Sequence, residues 1–141
     1  MVPHRAVAQE TESLIAVYFR NLQQLLETHR LKILLQSDVV YTSPVTGYYK
    51  GLVTFLDRSR LSVFEHVRLQ GRSVVKTHYR YHYMAPAGEI VFRYDNAPHY
   101  KGLKTFPHHK HEGSKTMPSK APVLKKVLKE IDQHIIRRMV H

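Results

Sequence analysis

Residues 73–95 have the sequence SVVKTHYRYHYMAPAGEIVFRYD, and this stretch decides the fold. Apolar and polar residues alternate along it, which is the pattern of half-buried β-strands, and we predict strands over residues 73–84 and 89–95. The connection over residues 85–88 is short and contains proline and glycine, as hairpin turns do. Two antiparallel neighbouring strands are therefore expected.

This hairpin is predicted to have one aromatic and one basic face. Because register follows the matching of apolar faces, we pair Tyr83 with Ile90 and Tyr81 with Phe92. The opposite surface then collects His78, Arg80, His82, Arg93 and Asp95. Strict alternation places Lys76 there as well. Burying so many charged groups unpaired is too costly, so this surface is expected to face solvent or a ligand.

The rest of the chain predicts an α+β fold and a single domain, residues 1–141. Its predicted parts are an N-terminal helix over about residues 10–32, a β-meander over about 38–96 with further strands at 48–56 and 60–69, a His-rich loop over 97–121, and a C-terminal helix over about 122–138. Residues 32–41 suit a helix in their first half and a strand in their second. We expect one antiparallel sheet of about four to five strands with both helices packed on one face.

Glu65 interrupts the apolar face of the strand predicted at residues 60–69. A carboxylate buried there has a raised pKa or an arginine partner, and either property serves catalysis. A strand bulge that turns Glu65 outward is the interpretation we favour. For Tyr79 and Tyr81 we favour burial in the core over stacking on nucleotide bases.

The composition favours a polyanionic partner. The chain has 22 lysines and arginines against 11 acidic residues, a formal net charge of +11, and 11 histidines that add charge below about pH 6.5. Cysteine is absent, which excludes disulfides and zinc sites built on thiolates. The sequence contains neither a signal peptide nor an apolar run long enough to cross a membrane. We therefore expect a soluble, cytoplasmic protein with no membrane partner.

Histidines are concentrated between His99 and His111. Imidazole, carboxylate and guanidinium groups in one region move protons near neutral pH or hold phosphate and metal. His109 and His111 are two positions apart, so both side chains point the same way in an extended segment. Together with a third ligand they predict a metal site as one alternative. That ligand would be His99, which we favour, or His82 or Asp95.

Three residues nearby also have structural interpretations. His108 or His109 would pack under the loop and donate a hydrogen bond to a backbone carbonyl. Asn96 follows the last predicted strand, where asparagine commonly bonds turn amides.

Three motifs together resemble one known family. They are Tyr79-Arg80-Tyr81-His82-Tyr83, then Phe92-Arg93-Tyr94-Asp95-Asn96-Ala97-Pro98-His99, then Thr105-Phe106-Pro107-His108-His109-Lys110-His111. With looser similarity around them, the chain resembles the TumE-type toxins of prokaryotic toxin-antitoxin pairs over roughly residues 48–138. The resemblance implies a small toxin neutralised by a DNA-binding antitoxin that is encoded beside it. It supplies no catalytic residues, and Tyr100 stands where a further histidine is often seen in the family.

The residues and the resemblance together predict a toxin that cleaves RNA without a metal ion or other cofactor. Such cleavage needs a base for the 2′-hydroxyl, an acid for the 5′-oxygen and fixed cations for the charge that builds on phosphorus. We assign catalysis to His82 with His109 or His111, in an order left open, and the orienting role to Asp95. The predicted contacts to phosphate and RNA are Arg80, Arg93, His78, Lys110 and His108.

Two other classes of function remain open at this point. A non-catalytic toxin would hold RNA, the ribosome or an acidic antitoxin on the same basic surface without breaking a bond. A metal-dependent nuclease would use His99, His109 and His111 as ligands. The sequence also allows a homodimer.

Overall fold

The computed structural model describes residues 12–140, and in this part of the chain two helices flank seven strands. The helices are α1 (Leu14–Glu27) and α2 (Leu124–Val140), and the strands are β1 (Lys32–Ser43), β2 (Thr46–Phe55), β3 (Arg60–Gln70), β4 (Ser73–Met84), β5 (Ile90–Asp95), β6 (His109–Glu112) and β7 (Lys115–Pro118). The strands form one antiparallel sheet in the order β1-β2-β3-β4-β5-β6-β7. The α+β class and the meander are confirmed, whereas the prediction of about four to five strands is wrong because the sheet has seven.

The two strands at the C-terminal end of the sheet form a hairpin inside residues 97–121, which we had predicted as a loop. β6 and β7 are joined by Gly113 and Ser114, and Gly113 has a positive φ of 60°, as the first residue of a tight hairpin turn requires. β6 also pairs with β5, with His109 opposite Asp95. The His-rich segment therefore contributes a strand to the sheet.

β1 begins earlier than predicted. The helix α1 ends at Glu27 rather than near residue 32, and residues 33–35, whose apolar side chains also suited a helix, are extended. The cause is pairing with β2, because the ladder continues until Lys32 lies opposite Phe55. The predicted start of the helix near residue 10 lies outside the described residues.

The register between β4 and β5 differs from the prediction by two residues. Tyr83 lies opposite Phe92 and Tyr81 opposite Tyr94, whereas the sequence paired Tyr83 with Ile90. An irregularity next to Tyr83 adds one residue to β5 relative to β4. A shift of two keeps every side chain on its own face, so the polar surface of the hairpin still forms.

Both helices pack on the same face of the sheet, as expected. The largest side chains in the core are Tyr49, Tyr81, Tyr83, Phe19, Phe55 and Phe92. Burying a side chain of this size contributes about 2–3 kcal/mol to stability. Tyr79 and Tyr81 are 3% and 0% exposed, which confirms their assignment to the core. Neither of the described helices combines the length and hydropathy needed to cross a bilayer.

Glu65 stays on this core face, so the outward turn that we favoured is wrong. Its side chain is 1% exposed. Its carboxylate accepts hydrogen bonds from the hydroxyls of Tyr18, on α1, and Tyr81, on β4. The partners of this buried carboxylate are two hydroxyls, and not the arginine that the sequence suggested.

A bulge lies in β4, where Thr77 is the extra residue relative to β3. It moves Lys76 away from the basic face, where strict alternation had placed it. The Lys76 Nζ instead donates to the Tyr81 hydroxyl at 2.7 Å and to the Pro122 carbonyl at 2.9 Å. Lys76 therefore belongs to the buried polar cluster around Glu65 and links it to the start of α2.

Candidate functional site

Two rows of directly opposed residues cross the sheet on the side away from the helices, which we call the polar face. The first row is Phe64, Arg80, Asp95 and His109, and the second row is Ser62, His82, Arg93 and His111. Directly opposed residues on antiparallel strands share a face and lie close enough for their side chains to interact. Four strands, β3 to β6, thus bring together groups that are up to about fifty residues apart in sequence.

A groove of about 340 Å³ opens along the first row. Its lining includes Phe64, His78, Arg80, Arg93, Asp95, Asn96, His99, Tyr100 and His109. The volume lies at the lower end of the range for ligand pockets, about 300–1,000 Å³. Guanidinium and imidazole groups dominate the polar part of this lining, so the groove attracts anions.

Asp95 is the centre of the hydrogen bonding in the groove. Its carboxylate accepts from Arg93 Nε at 2.8 Å, from His109 Nε2 at 2.7 Å and from the backbone N–H of Ala97 at 3.0 Å. Asp95 is only 5% exposed, so these bonds act in a partly desolvated environment where they are strong. Asp95 therefore fixes the orientation of both Arg93 and His109.

His109 is sealed beneath the groove, with 1% of its surface exposed. Its Nδ1 lies 2.9 Å from the Pro107 carbonyl oxygen, which confirms the interpretation that one histidine of this pair bonds a backbone carbonyl. Its Nε2 bonds Asp95, so both ring nitrogens face oxygen atoms of the protein. Neither nitrogen is therefore free to exchange a proton with a ligand.

His82 and His111 differ from His109 in having a ring nitrogen without a hydrogen bond, and His111 Nε2 lies 3.9 Å from Asp95 Oδ2. Among the described residues, two buried side-chain nitrogen or oxygen atoms make no hydrogen bond, and they are the Nε2 atoms of His82 and His111. Burial lowers the pKa of His82, and the positive charges of Arg93 and Arg80 lower it further. Burial and Arg93 likewise lower the pKa of His111, although Asp95 opposes this. Both imidazoles are therefore mainly neutral at pH 7.

Three side chains on the polar face have the composition of a metal site. One ligand atom each from Asp95, His109 and His111 lies within 4.8 Å of the others. His109 and His111 point the same way, as their spacing predicted, with ring centroids 4.9 Å apart. In this cluster Asp95 takes the place that we had assigned to His99, which lies in the groove lining.

A comparison with protein families identifies the family of this chain. The family model described as Toxin TumE matches residues 22–135, which include both rows and the groove. The chain belongs to the TumE toxin family. No curated protein and no solved structure matches it. Membership of a toxin family implies a cognate antitoxin for this chain.

Two residues that the sequence predicted as RNA contacts lie on the helix side of the toxin. His108 stacks on Tyr79 with ring centroids 5.7 Å apart, and its Nδ1 is hydrogen-bonded to the Tyr79 hydroxyl at 2.9 Å. Lys110 donates to Glu130, on α2, at 2.7 Å. The alternation of β6 explains the placement of Lys110, because its neighbours His109 and His111 point to the opposite face. We therefore leave His108 and Lys110 out of the site.

Asn96 has a structural role, as the sequence predicted, although its partners lie in β4 and are not turn amides. Its side chain donates to the carbonyl of Thr77 at 2.9 Å and accepts from the N–H of Tyr79 at 3.0 Å. These are backbone groups at the β4 bulge, where the regular ladder is interrupted. Asn96 thus supports the strand that carries Arg80 and His82.

Two aromatic residues of the toxin's groove had no predicted role. Tyr100 contacts the rings of His109 and His111 edge-on, with centroids 4.9 and 5.5 Å apart. Phe64 lies at the other end of the first row and is half-buried. An aromatic residue on the polar side of an alternating strand was the available signal for Phe64. Tyr100 lies in an irregular segment, where the sequence pattern gives no side-chain direction.

Proposed function

We propose that this toxin cleaves RNA on the polar face of the sheet, without a metal ion, with His82 and His111 exchanging the protons. In this reaction the base removes the proton of a 2′-hydroxyl, and the 2′-oxygen forms a bond to phosphorus. The bond from phosphorus to the 5′-oxygen breaks, and the acid protonates the departing oxygen. The products are a 2′,3′-cyclic phosphate and a 5′-hydroxyl.

The observation that carries this proposal is the order His82, Arg93, His111 on three adjacent strands. Neighbouring strands are about 4.8 Å apart, so the two histidines flank the arginine at a backbone separation of about 10 Å. A phosphodiester held by Arg93 would have one imidazole near each of its reacting oxygens. The Nε2 atoms of the two histidines support the assignment, because they are buried and no protein group forms a hydrogen bond with them.

Arg93 and Arg80 are the proposed phosphate ligands. Asp95 holds Arg93 at 2.8 Å and so presents the guanidinium in a fixed orientation. Fixed cations stabilise the charge that develops on the equatorial oxygens without reorganisation during the reaction. Asp95 and His109 act through Arg93 and are positioning residues in this mechanism.

The first test is cleavage of single-stranded RNA by the purified chain in excess EDTA. We expect cleavage, with products that end in 2′,3′-cyclic phosphate. His82→Ala and His111→Ala should each lower the rate by about 10²- to 10⁴-fold, because each removes one partner in proton transfer. The matched control is His108→Ala, a histidine on the opposite face, which should leave the rate near that of the wild type.

Binding measured on the same variants separates this proposal from a non-catalytic toxin. His82→Ala and His111→Ala should bind RNA with nearly unchanged affinity, because Arg80 and Arg93 remain. A wild-type chain that binds RNA but cuts none of the RNAs offered, including ribosomal RNA, would contradict the cleavage proposal and favour the binder.

A metal-dependent nuclease is the second candidate, favoured by the Asp95, His109 and His111 cluster. His109 Nε2 already shares a proton with Asp95, so coordination would require that proton to leave. Calorimetry with Zn²⁺ and Mn²⁺ in two buffers of different ionisation enthalpy would detect its release. Cleavage that EDTA abolishes and Zn²⁺ or Mn²⁺ restores would establish this candidate in place of the first.

For the biological role, we propose that the cognate antitoxin is a DNA-binding protein encoded next to the toxin. The strong positive charge of the chain supports an acidic antitoxin surface as its partner. Co-expression with the product of the adjacent reading frame should restore growth and yield a co-purifying complex. A neighbour that neither rescues growth nor binds the chain would contradict this assignment.

A further inference from the structure

The two edges of the sheet differ in how well they are protected from other strands. The β7 edge has only four residues, begins with Lys115 and ends with Pro118. Short length, lysine and proline are the usual means by which an edge strand is kept from pairing. β1, at the other edge, has twelve residues and no proline.

β1 also exposes apolar side chains on both faces. Leu34 and Tyr41 are each 52% exposed, Ile33 is 44%, Val39 is 39% and Val40 is 37%. Its charged residues are Lys32 and Asp38, one of each sign. A long, apolar edge strand with unpaired backbone groups is a template for adding a further strand.

The sequence of β1 is complementary to itself in one antiparallel register. With Ser37 opposite Ser37 of a second strand, apolar residues meet apolar residues. The resulting pairs are Leu35 with Val39, Leu34 with Val40, and Ile33 with Tyr41, each formed twice. Asp38 lies opposite Gln36 and beside Lys50 of its own β2.

The neighbouring registers are worse. A slip that preserves the faces moves the strands by two residues. In one direction the slip places Asp38 opposite Asp38 of the other copy, and the like charges repel. In the other direction it places Leu34 opposite Asp38 and Leu35 opposite Ser37, so apolar residues meet polar ones. The uninterrupted part of the β1–β2 ladder, Leu34–Tyr41, is also centred close to Ser37. One register is therefore selected by both charge and apolar matching.

We propose that β1 pairs with β1 of a second copy of this chain about a two-fold axis beside Ser37, which joins the two sheets into one continuous sheet. Such an isologous contact uses the same residues on both copies and closes as a dimer. It covers the unprotected edge and leaves the polar face of each copy open. The inference is independent of the reaction proposed above.

Disulfide cross-linking tests the register directly. The chain contains no cysteine, so Ser37→Cys introduces a single thiol per copy. Directly opposed Cβ atoms lie about 4.5–5.5 Å apart, and the corresponding Cα separations fall within the range of disulfides. Mild oxidation should convert Ser37→Cys to a covalent dimer. The matched control Ser114→Cys, in the exposed turn at the β7 edge, should stay monomeric on a denaturing gel.

Sedimentation equilibrium tests the dimer itself. The full chain should be a dimer, and it should persist in 0.5 M NaCl because the contact is mainly apolar and salt screens the repulsion between two copies of charge +11. Val39→Lys combined with Val40→Lys should give a folded monomer, verified by far-ultraviolet circular dichroism. The control Val140→Lys adds a lysine at an exposed valine of α2 and should remain dimeric.

Several results would overturn the proposal. These are a monomeric wild-type protein, a Val39→Lys and Val40→Lys double variant that remains dimeric, and a Ser37→Cys variant that does not cross-link. Dissociation caused by Val140→Lys alone would also overturn it, because it would place the interface at α2. If the chain is monomeric and its β1 amides gain hydrogen-exchange protection only when the antitoxin binds, the occupant of this edge is the antitoxin.

Discussion

Among residues 12–140, a buried carboxylate lies on each face of the sheet, and the two differ in what surrounds them. Glu65, under the helices, is bonded by the hydroxyls of Tyr18 and Tyr81, and Lys76 is reached through Tyr81. Asp95, on the polar face, is bonded by Arg93 and His109 at the edge of an open groove.

The difference teaches that burial of a carboxylate does not by itself mark a functional site. Glu65, Tyr18 and Lys76 also line a cavity, of about 300 Å³ and so similar in volume to the groove. Their polar groups are nevertheless engaged by one another, by Tyr81 and by the Pro122 carbonyl. The partner of Asp95, Arg93, extends into the groove and has a histidine with a free nitrogen on either side. We therefore assign structure to the first carboxylate and positioning of the reactive groups to the second.

The largest expected difference between the two faces appears when one cation is removed from each face in separate variants, Arg93 from the polar face and Lys76 from the core face. Arg93→Met should lower RNA cleavage by about 10²- to 10³-fold, because the developing charge on phosphate loses a fixed donor. Lys76→Met should leave cleavage within about threefold of the wild type. It should instead lower the free energy of unfolding by about 1–3 kcal/mol, because Tyr81 and the Glu65 carboxylate lose their cation. Urea denaturation and single-turnover cleavage measure the two properties. Equal losses of cleavage in both variants would remove the distinction between the faces.

The pH dependence should be nearly as large. The pKa values of His82 and His111 are both lowered. One of the two histidines must be protonated to act as the acid, and in the free protein this occurs only at a pH below the usual pKa of histidine. The maximum of kcat/KM should lie below about pH 6.5. Above the maximum, kcat/KM should fall about tenfold per pH unit as the acid loses its proton. A profile that rises from pH 6 to pH 9 would contradict the assignment of both histidines.

A smaller effect is expected from the tyrosine hydroxyls around Glu65. Tyr81→Phe should lower the free energy of unfolding by about 1–3 kcal/mol, and Tyr18→Phe by less because Tyr18 is only partly buried. Neither change should alter RNA cleavage at temperatures where the variant is folded. A loss of cleavage with unchanged stability would instead assign Glu65 to the reaction.

The smallest effect concerns the salt dependence of RNA binding. Each phosphate contact to a single strand contributes about 0.7 to the slope of log affinity against log salt concentration. Arg80→Ala should reduce that slope by about this amount, measured by fluorescence anisotropy. Arg72→Ala, an exposed arginine in the turn between β3 and β4, is the control and should leave the slope unchanged.

The hairpin of β4 and β5 was predictable because alternation fixes the side-chain faces locally. His82, Arg93 and Asp95 therefore lie on the predicted surface even though the register differs by two residues. The irregularity beside Tyr83, which contributes one residue of this difference, and the bulge at Thr77, which relocates Lys76, have no clear signature in the sequence. They depend on how neighbouring strands fit together.

The strands β6 and β7 were missed because their residues are mostly polar and show no alternation of apolar and polar side chains. The pair Gly113-Ser114 was a usable signal for a tight turn. Without β6, the spacing of the histidines indicates the direction of the His111 side chain but not its position. Its place across Arg93 comes from the pairing of β6 with β5.

Glu65 shows the limit of local reasoning most clearly. Alternation placed it correctly on the apolar face, and we rejected that placement because a buried carboxylate needs partners. One partner, Tyr18, lies on α1 and is 47 positions away in sequence, so only the packing of helix on sheet supplies it.

The most direct test of the contrast between the two carboxylates is single-turnover cleavage of single-stranded RNA in EDTA by Asp95→Asn and Glu65→Gln, at a temperature where both variants are folded. Asparagine cannot balance the charge of Arg93 or accept as strongly from Arg93 and His109, so we predict a loss of at least about 100-fold for Asp95→Asn. For Glu65→Gln we predict a rate within about threefold of the wild type. A larger loss for Glu65→Gln than for Asp95→Asn would contradict the account.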